Sequence, residues 1–173
     1  MRLTELLQNL EYICVQGSLD TEVRSVVFDS RKADKDSLFI CIKGAVSDGH
    51  KYAEDVAAKG ASVLVVQDHV AVPEHVTVIK VPDSRYAMAC ISAAWFGHPA
   101  EKLKVIGITG TKGKTTTTYL VKSILENAGH KVGLIGTIEA IIGDKVIPAA
   151  NTTPESYVVQ QYFAEMVEAG CDS

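Results

Sequence analysis

Several things are scarce in these 173 residues, and each shortage removes a class of function. No apolar run approaches the roughly 18 residues that a membrane span requires, so a membrane-spanning chain is not expected. The 17 Lys and Arg set against 21 Asp and Glu leave a net charge of -4 with no dense basic cluster. The electrostatic footprint of a nucleic-acid binder is missing. Cys14, Cys41, Cys90 and Cys171 lie far apart without a C-x-x-C pair, which predicts reduced thiols in a cytosol, packed as small hydrophobes. His50, His69, His75, His98 and His130 show no H-x-x-x-H or H-x-x-H spacing. A zinc site would have to be assembled entirely by folding. The first ten residues, MRLTELLQNL, carry acidic and polar side chains where a secretory leader has an apolar stretch. Repeats and low-complexity tracts are absent.

What is present is a globular composition, 47% apolar and 22% charged. The length allows one large domain or two small ones, and either can bury a core. Short β-branched runs alternate with amphipathic segments, the pattern of an α/β chain. EVRSVVFDS, DSLFICI, ASVLVVQ and VTVIKV read as strands, and DGHKYAEDVAAKG as a helix closed by Gly60. A second helix follows in PDSRYAMACISAAWFGHP, with Asp83 at its start and Gly97 and Pro99 at its end. GHPAEKLK resembles a linker and places a domain boundary near Pro99.

Beyond it, LKVIGIT is an almost continuous apolar run, which predicts a strand buried on both faces. A helix then starts at Lys114, with Thr117, Val121, Ile124, Leu125 and Ala128 on one buried stripe and Gly129 closing it. HKVGLIGTIEAIIGDKVI reads as a strand followed by a hairpin turned at Gly143-Asp144. The order strand, glycine loop, helix, strand predicts a right-handed βαβ unit.

The glycine loop is GITGTKGKTTTT, Gly107 to Thr118. The common spacing G-x-x-x-x-G-K-[ST] would need glycine at position 108, which is Ile108. Gly110-Thr111-Lys112-Gly113 is instead a shorter cradle, followed by Lys114, Thr115 and Thr116 at a helix N-terminus. Backbone N-H groups of such a turn surround phosphate oxygens, a lysine reaches the terminal phosphates, and a hydroxyl ligates Mg2+. A plain strand-to-helix turn needs one or two glycines and no lysine, so nucleotide binding is the expectation. Thr115 and Thr116 are expected to face phosphate and Thr117 to pack, while Thr118 carries no signal. Phosphate binding alone does not name a reaction.

Two other segments have local readings. Asp29-Ser30-Arg31 follows a strand and offers a carboxylate, a hydroxyl and a guanidinium suited to an anionic ligand. It reads equally as a polar turn that satisfies its own backbone. In NTTPES, Thr153 fits a helix N-cap, with Pro154 at the first helical position and Glu155 in the first turn. A helix N-terminus is also an anion site.

Taken together, GITGTKGKTTT, the segment from Phe28 to Ala61 and NTTPES resemble the Mur ligase family, the ATP-dependent enzymes that build the peptide stem of bacterial peptidoglycan. The similarity covers nearly the whole chain and is to the MurE-type branch, which adds the third residue. Lys112 stands where asparagine is frequent in the family. The resemblance implies an α/β fold: an N-terminal uridine-nucleotide-sugar domain over residues 1–98, then the start of a parallel-sheet P-loop ATP domain over 99–173. It implies that Gly110, Thr111, Lys112, Gly113, Lys114, Thr115 and Thr116 bind ATP, with Lys114 catalytic and Thr115 on Mg2+. Ser30 would contact the UDP-sugar, the turn Gly44-Ala45-Val46-Ser47 the uracil, and Asn151, Thr152 and Thr153 the growing substrate near the γ-phosphate. Substrates would be UDP-N-acetylmuramoyl-dipeptide and a free amino acid, joined in the cytoplasm through an acyl phosphate.

The resemblance further implies a Mg2+-binding glutamate, a carbamylated lysine and an amino-acid-binding domain beyond VEAGCDS, so these residues read as an N-terminal fragment with little or no ligase activity. Another P-loop ligase or kinase, such as a folate-type polyglutamate ligase, would share the cradle but not residues 1–98. A non-catalytic module that binds a UDP-sugar or ATP is the remaining alternative.

Overall fold

The β-branched runs of the first half pair into one five-stranded sheet. Its strands are β1 (Ile13–Gln16), β2 (Ser25–Val27), β3 (Ser37–Ile40), β4 (Val63–Val66) and β5 (Thr77–Lys80), in the spatial order β1-β5-β4-β3-β2. Neighbours from β2 to β5 run parallel, and β1 lies antiparallel on β5. The computed structural model describes residues 1–44, 47–149 and 153–173, which divide into two compact units, Met1–Trp95 and Phe96–Ser173. The chain is mixed α/β with its parallel pairing in the first unit.

In that unit β3 and β4 are buried at every residue, as parallel strands covered on both faces must be. Side chains alternate across the sheet. Phe39, Leu64 and Val78 cluster with Val56 and Ala57 of helix α2 (Ala53–Ala58). The interleaved Leu38, Ile40, Val63 and Val65 therefore point to the opposite face. There α1 (Leu3–Leu6) packs on α3 (Ser84–Trp95), which reaches β4, and together they bury Leu3, Leu6, Met88 and Ile91.

Local signals explain the helix ends. Asp83 Oδ1 accepts from the N-H groups of Arg85 at 2.8 Å and Tyr86 at 3.1 Å, capping α3. The segment 48–60 begins as a 3-10 turn, Gly49–Tyr52, before continuing as α2. Gly60 closes it at φ +101°, a conformation that glycine tolerates. Strand β1 was not among the expected strands, because Ile13 and Val15 on this edge are 66% and 55% exposed and give no buried pattern.

The second unit holds α4 (Lys114–Asn127), β6 (Leu134–Ile135), β7 (Glu139–Ile142), β8 (Lys145–Pro148) and α5 (Ser156–Glu168). Strands β6, β7 and β8 form an antiparallel sheet, with β7 and β8 joined through Gly143-Asp144 as expected. Its core gathers Ile142, Met166 and Cys171 with Leu103, Ile135 and Phe163.

The LKVIGIT run departs from expectation. Residues 104–110 pair with no strand among the described residues, and Val105 and Ile106 are 55% and 56% exposed. A strand needs a neighbour to accept its backbone bonds. Here Lys104 N-H instead donates to the Asp172 carbonyl at 2.9 Å. The expected βαβ unit is therefore not formed among these residues. Helix α4 shows the same lack of cover: it buries no residue, Ile124 is 67% exposed, and Thr117 and Ala128 of the expected buried stripe are exposed too.

Candidate functional site

In the second unit the glycine loop enters α4 through two positions that only glycine adopts readily, Gly110 at φ +149° and Gly113 at φ +79°. Gly113 is the N-cap, and Thr117 N-H is the first to find a helical acceptor, the Gly113 carbonyl at 2.9 Å. The N-H groups of Lys114, Thr115 and Thr116 before it have no acceptor within the helix. A Cβ placed at Gly113 would meet nothing within 4 Å, so the loop is open to an approaching anion. Thr111, Lys112 and Thr116 are exposed on this rim.

Side chains close the arrangement. Lys114 Nζ folds back and donates to the Gly110 carbonyl at 2.5 Å. Thr115 Oγ1 lies 3.3 Å from Thr137 Oγ1, and Tyr119 donates its hydroxyl to Glu139 Oε1 at 2.5 Å. The bond to Glu139 raises the Tyr119 phenol above its usual range. Thr118 donates to the Lys114 carbonyl at 2.7 Å, a backbone contact one turn earlier. Lys114, Thr115, Tyr119, Thr137, Glu139 and Thr153 line one cavity of ≈ 460 Å³.

Thr137 and Glu139 were not anticipated. They reach Thr115 and Tyr119 through the turn into β7, over separations of 22 and 20 residues that no local motif records. Thr153 shares the cavity but is not the N-cap of α5. Glu155 holds that position, itself extended at ψ 153°, so the helix cannot begin before Ser156. Asn151 and Thr152 lie outside the described residues. The hydroxyl and carboxylate oxygens of Thr115, Thr137 and Glu139 are hard donors of the kind Mg2+ takes.

The first unit has its own cavity, ≈ 480 Å³, lined by Phe28, Ser30, Arg31, Ser47 and Tyr52 among others. Asp29 accepts from Arg31 N-H at 3.0 Å, which starts the short 3-10 turn Ser30–Lys32. Its carboxylate also holds the Arg31 guanidinium, with Nε to Oδ1 at 2.9 Å and Nη2 to Oδ2 at 2.7 Å. That side-chain hydrogen bond is the chief reason the Asp29 carboxyl is lowered from 3.8 to about 2. The Ser30 carbonyl accepts from Lys59 Nζ at 2.7 Å. Its hydroxyl has no hydrogen-bond partner among the described residues.

The Gly44–Ser47 turn is described only at its two ends, and Ala45 and Val46 fall outside the described residues. Beyond it, Gly49 packs tightly: a Cβ there would sit 2.7 Å from Ile42 N and 3.0 Å from Cys41 Cα. Burial, with Asp48 nearby, pushes the Cys41 thiol up to about 12.

Folding also gathers Asp48, His50 and Asp68, whose ligand atoms lie within 4.8 Å of one another. Both imidazole nitrogens are already committed, however. Nδ1 is 2.6 Å from Asp48 Oδ1, and Nε2 accepts from Gln67 N-H at 3.0 Å and Asp68 N-H at 3.2 Å. Asp68 binds Lys43 Nζ at 3.0 Å as well. The cluster ties the turn at Asp48 to the end of β4 and leaves no imidazole lone pair for a cation.

Comparison with known proteins matches both units. The family model described as Mur ligase family, catalytic domain, matches residues 22–96, and that described as Mur ligase middle domain matches residues 108–173. The chain is 47% identical over 172 residues to UDP-N-acetylmuramoyl-L-alanyl-D-glutamate--2,6-diaminopimelate ligase of Clostridium perfringens, covering 99% of this chain and 36% of that relative. It is 43% identical to the ligase of the same name from Geobacillus thermodenitrificans, covering 99% of this chain and 35% of the relative. The chain thus spans about a third of the length of these curated relatives. Among solved structures, a ligase of that name superposes with a TM-score of 0.75 at 20% identity, covering 99% of this chain and 34% of that one. MurF from Acinetobacter baumannii superposes with a TM-score of 0.56 at 26% identity, covering 95% and 32%.

Proposed function

Because the chain belongs to the Mur ligase family, we propose that it carries the first two binding stations of an ATP-dependent ligase of the MurE type. That ligase adds the third amino acid to UDP-N-acetylmuramoyl-L-Ala-D-Glu in peptidoglycan synthesis. The names of its relatives support 2,6-diaminopimelate as that amino acid. In this reading residues 1–98 hold the uridine-nucleotide sugar and residues 99–173 open the ATP domain of a cytoplasmic enzyme.

The observation that carries the reading is the meeting of Lys114, Thr115 and Thr153 in one cavity at the head of α4. The residues fit ATP and Mg2+. Gly110, Thr111, Lys112 and Gly113 form the cradle, the N-H groups of Lys114 to Thr116 face outward as donors, and Thr115 offers an oxygen for the metal. When bound, ATP and Mg2+ supply a phosphoryl group that turns an unreactive carboxylate into an acyl phosphate open to attack by an amine.

The chain's own part is positioning and charge neutralisation, with no protein nucleophile. Lys114 must leave the Gly110 carbonyl to reach phosphate. In the second unit Thr153 lines the cavity with Lys114, and Asn151, Thr152 and Thr153 are assigned to the acceptor substrate by family likeness; in the first unit Ser30 is assigned to the uridine-nucleotide sugar on the same ground.

Calorimetry tests the reading with ATP and Mg2+ and, separately, with UDP-N-acetylmuramoyl-dipeptide. Binding of both is expected. Binding of ATP alone would reduce the chain to a generic phosphate-loop protein and overturn the nucleotide-sugar assignment. In a coupled phosphate-release assay with diaminopimelate, turnover by these 173 residues is expected to stay near background.

A further inference from the structure

The Asp29-Arg31 pair is unusual for its setting. The guanidinium is 87% exposed on its side chain, yet it makes a two-pronged contact with one carboxylate at the wall of the first-unit cavity. A carboxylate and a phosphate present the same pair of oxygens to that planar fork. An exposed ion pair contributes little net stability, so a better anion can exchange for it. Among the described residues the guanidinium bonds to Asp29 alone. Of the neighbouring cations, Lys59 is committed to the Ser30 carbonyl, and Lys32 acts on Asp29 through its charge without a hydrogen bond. The wall beside Arg31 is aromatic and hydroxylated, with Phe28, Ser30 and Tyr52, and suits a base and sugar rather than a second charge.

Resting on the reading of this cavity as a nucleotide-sugar site, we propose that Arg31 is the clamp for the ligand's diphosphate and that Asp29 is its resting occupant, displaced when the diphosphate enters. The pair keeps the guanidinium extended and aimed between ligands. It also sets a threshold: an anion must offer two oxygens to one fork to replace the carboxylate, which favours a diphosphate over a neutral nucleoside.

Calorimetry on the 173-residue chain with UDP and with uridine tests this, because uridine keeps the base and sugar and lacks the diphosphate. UDP is expected to bind more tightly than uridine. Arg31→Gln is expected to weaken UDP about tenfold, the value of a charge-assisted bond, and to leave uridine unchanged. Asp29→Asn keeps a side-chain oxygen for the cap on Arg31 N-H and removes the competing charge. It is expected to tighten UDP about threefold, the scale of an exposed ion pair, again without effect on uridine. Thermal unfolding of both variants checks that the fold is kept. Equal loss of UDP and uridine in Arg31→Gln, or weaker UDP binding in Asp29→Asn, would overturn the clamp. Uridine binding with UDP no tighter would overturn the clamp alone, whereas failure of both ligands to bind would overturn the cavity's reading with it.

Discussion

In the first unit β3 and β4 bury every residue between helices on both faces, whereas α4 in the second unit buries none and carries Leu120 and Ile124 at 59% and 67% exposure. Both units present a cavity with polar groups on its wall. They differ in what stands behind that wall. Asp29 and Ser30 follow a strand of a sheet that is saturated with apolar contacts, so their positions are inherited from the core. The loop at Gly110 to Gly113 follows a segment that pairs with no strand among the described residues, and its geometry rests on the positive φ values of its glycines. Precision in the first cavity comes from packing, and in the second from backbone conformation.

The largest test of that contrast is truncation. Ile40→Ala or Leu64→Ala should cost about 2–5 kcal/mol in urea unfolding, as fully buried side chains do. Ile124→Ala on α4 should cost less than about 0.5 kcal/mol, as exposed substitutions do. Comparable losses would erase the difference between the units. Gly113→Ala forces a side chain into the left-handed region at φ +79°, which should cost about 1–2 kcal/mol and weaken ATP binding, while the unfolding transition of the first unit stays put.

A smaller effect is expected from Lys114→Ala. It should weaken ATP about tenfold, through loss of one charge-assisted contact, with no change in melting temperature, since among the described residues the ammonium bonds only to the exposed Gly110 carbonyl. A drop in melting temperature would mean that the lysine supports the loop.

The smallest concerns acid. The Asp29 carboxyl is held at about 2 against its usual 3.8, so the folded state favours its charged form. The stabilisation is present above 3.8 and is lost as the pH falls through about 2. The pair is exposed and salt-screened, so the expected signal is a slight melting-temperature advantage over Asp29→Asn at pH 5 that disappears at pH 2. An advantage that persists at pH 2 would show that Asp29 acts through its shape.

The contrast also explains what the sequence could convey. Alternating β-branched runs and capped helices were readable as an α/β chain, because Asp83, Gly60 and Gly113 act within a few residues of their own position. The glycine loop was readable for the same reason: its φ values demand glycine. LKVIGIT and the stripe on α4 were misread because an apolar run reports what a segment would gain by burial and not whether a partner exists to bury it. Strand β1 was missed for the converse reason, since its pairing with β5 shows in backbone bonds and not in a buried pattern. Thr137 and Glu139 beside the cradle were invisible because only the turn into β7 brings them there. The roles of Ser30 and of Asn151 to Thr153 came from family likeness, and the local chemistry of those segments allowed plain turns and helix starts as well.

Cys41 turns the first unit into its own stopwatch. Its thiol is fully buried, kept protonated up to about 12, and packed in the core with Phe39, Val56 and Leu64. An alkylating reagent can reach it only when the packing of that core opens. With Cys14, Cys90 and Cys171 replaced by alanine, the rate of labelling counts those openings, and a ligand that binds the closed unit should slow the clock in proportion to its occupancy.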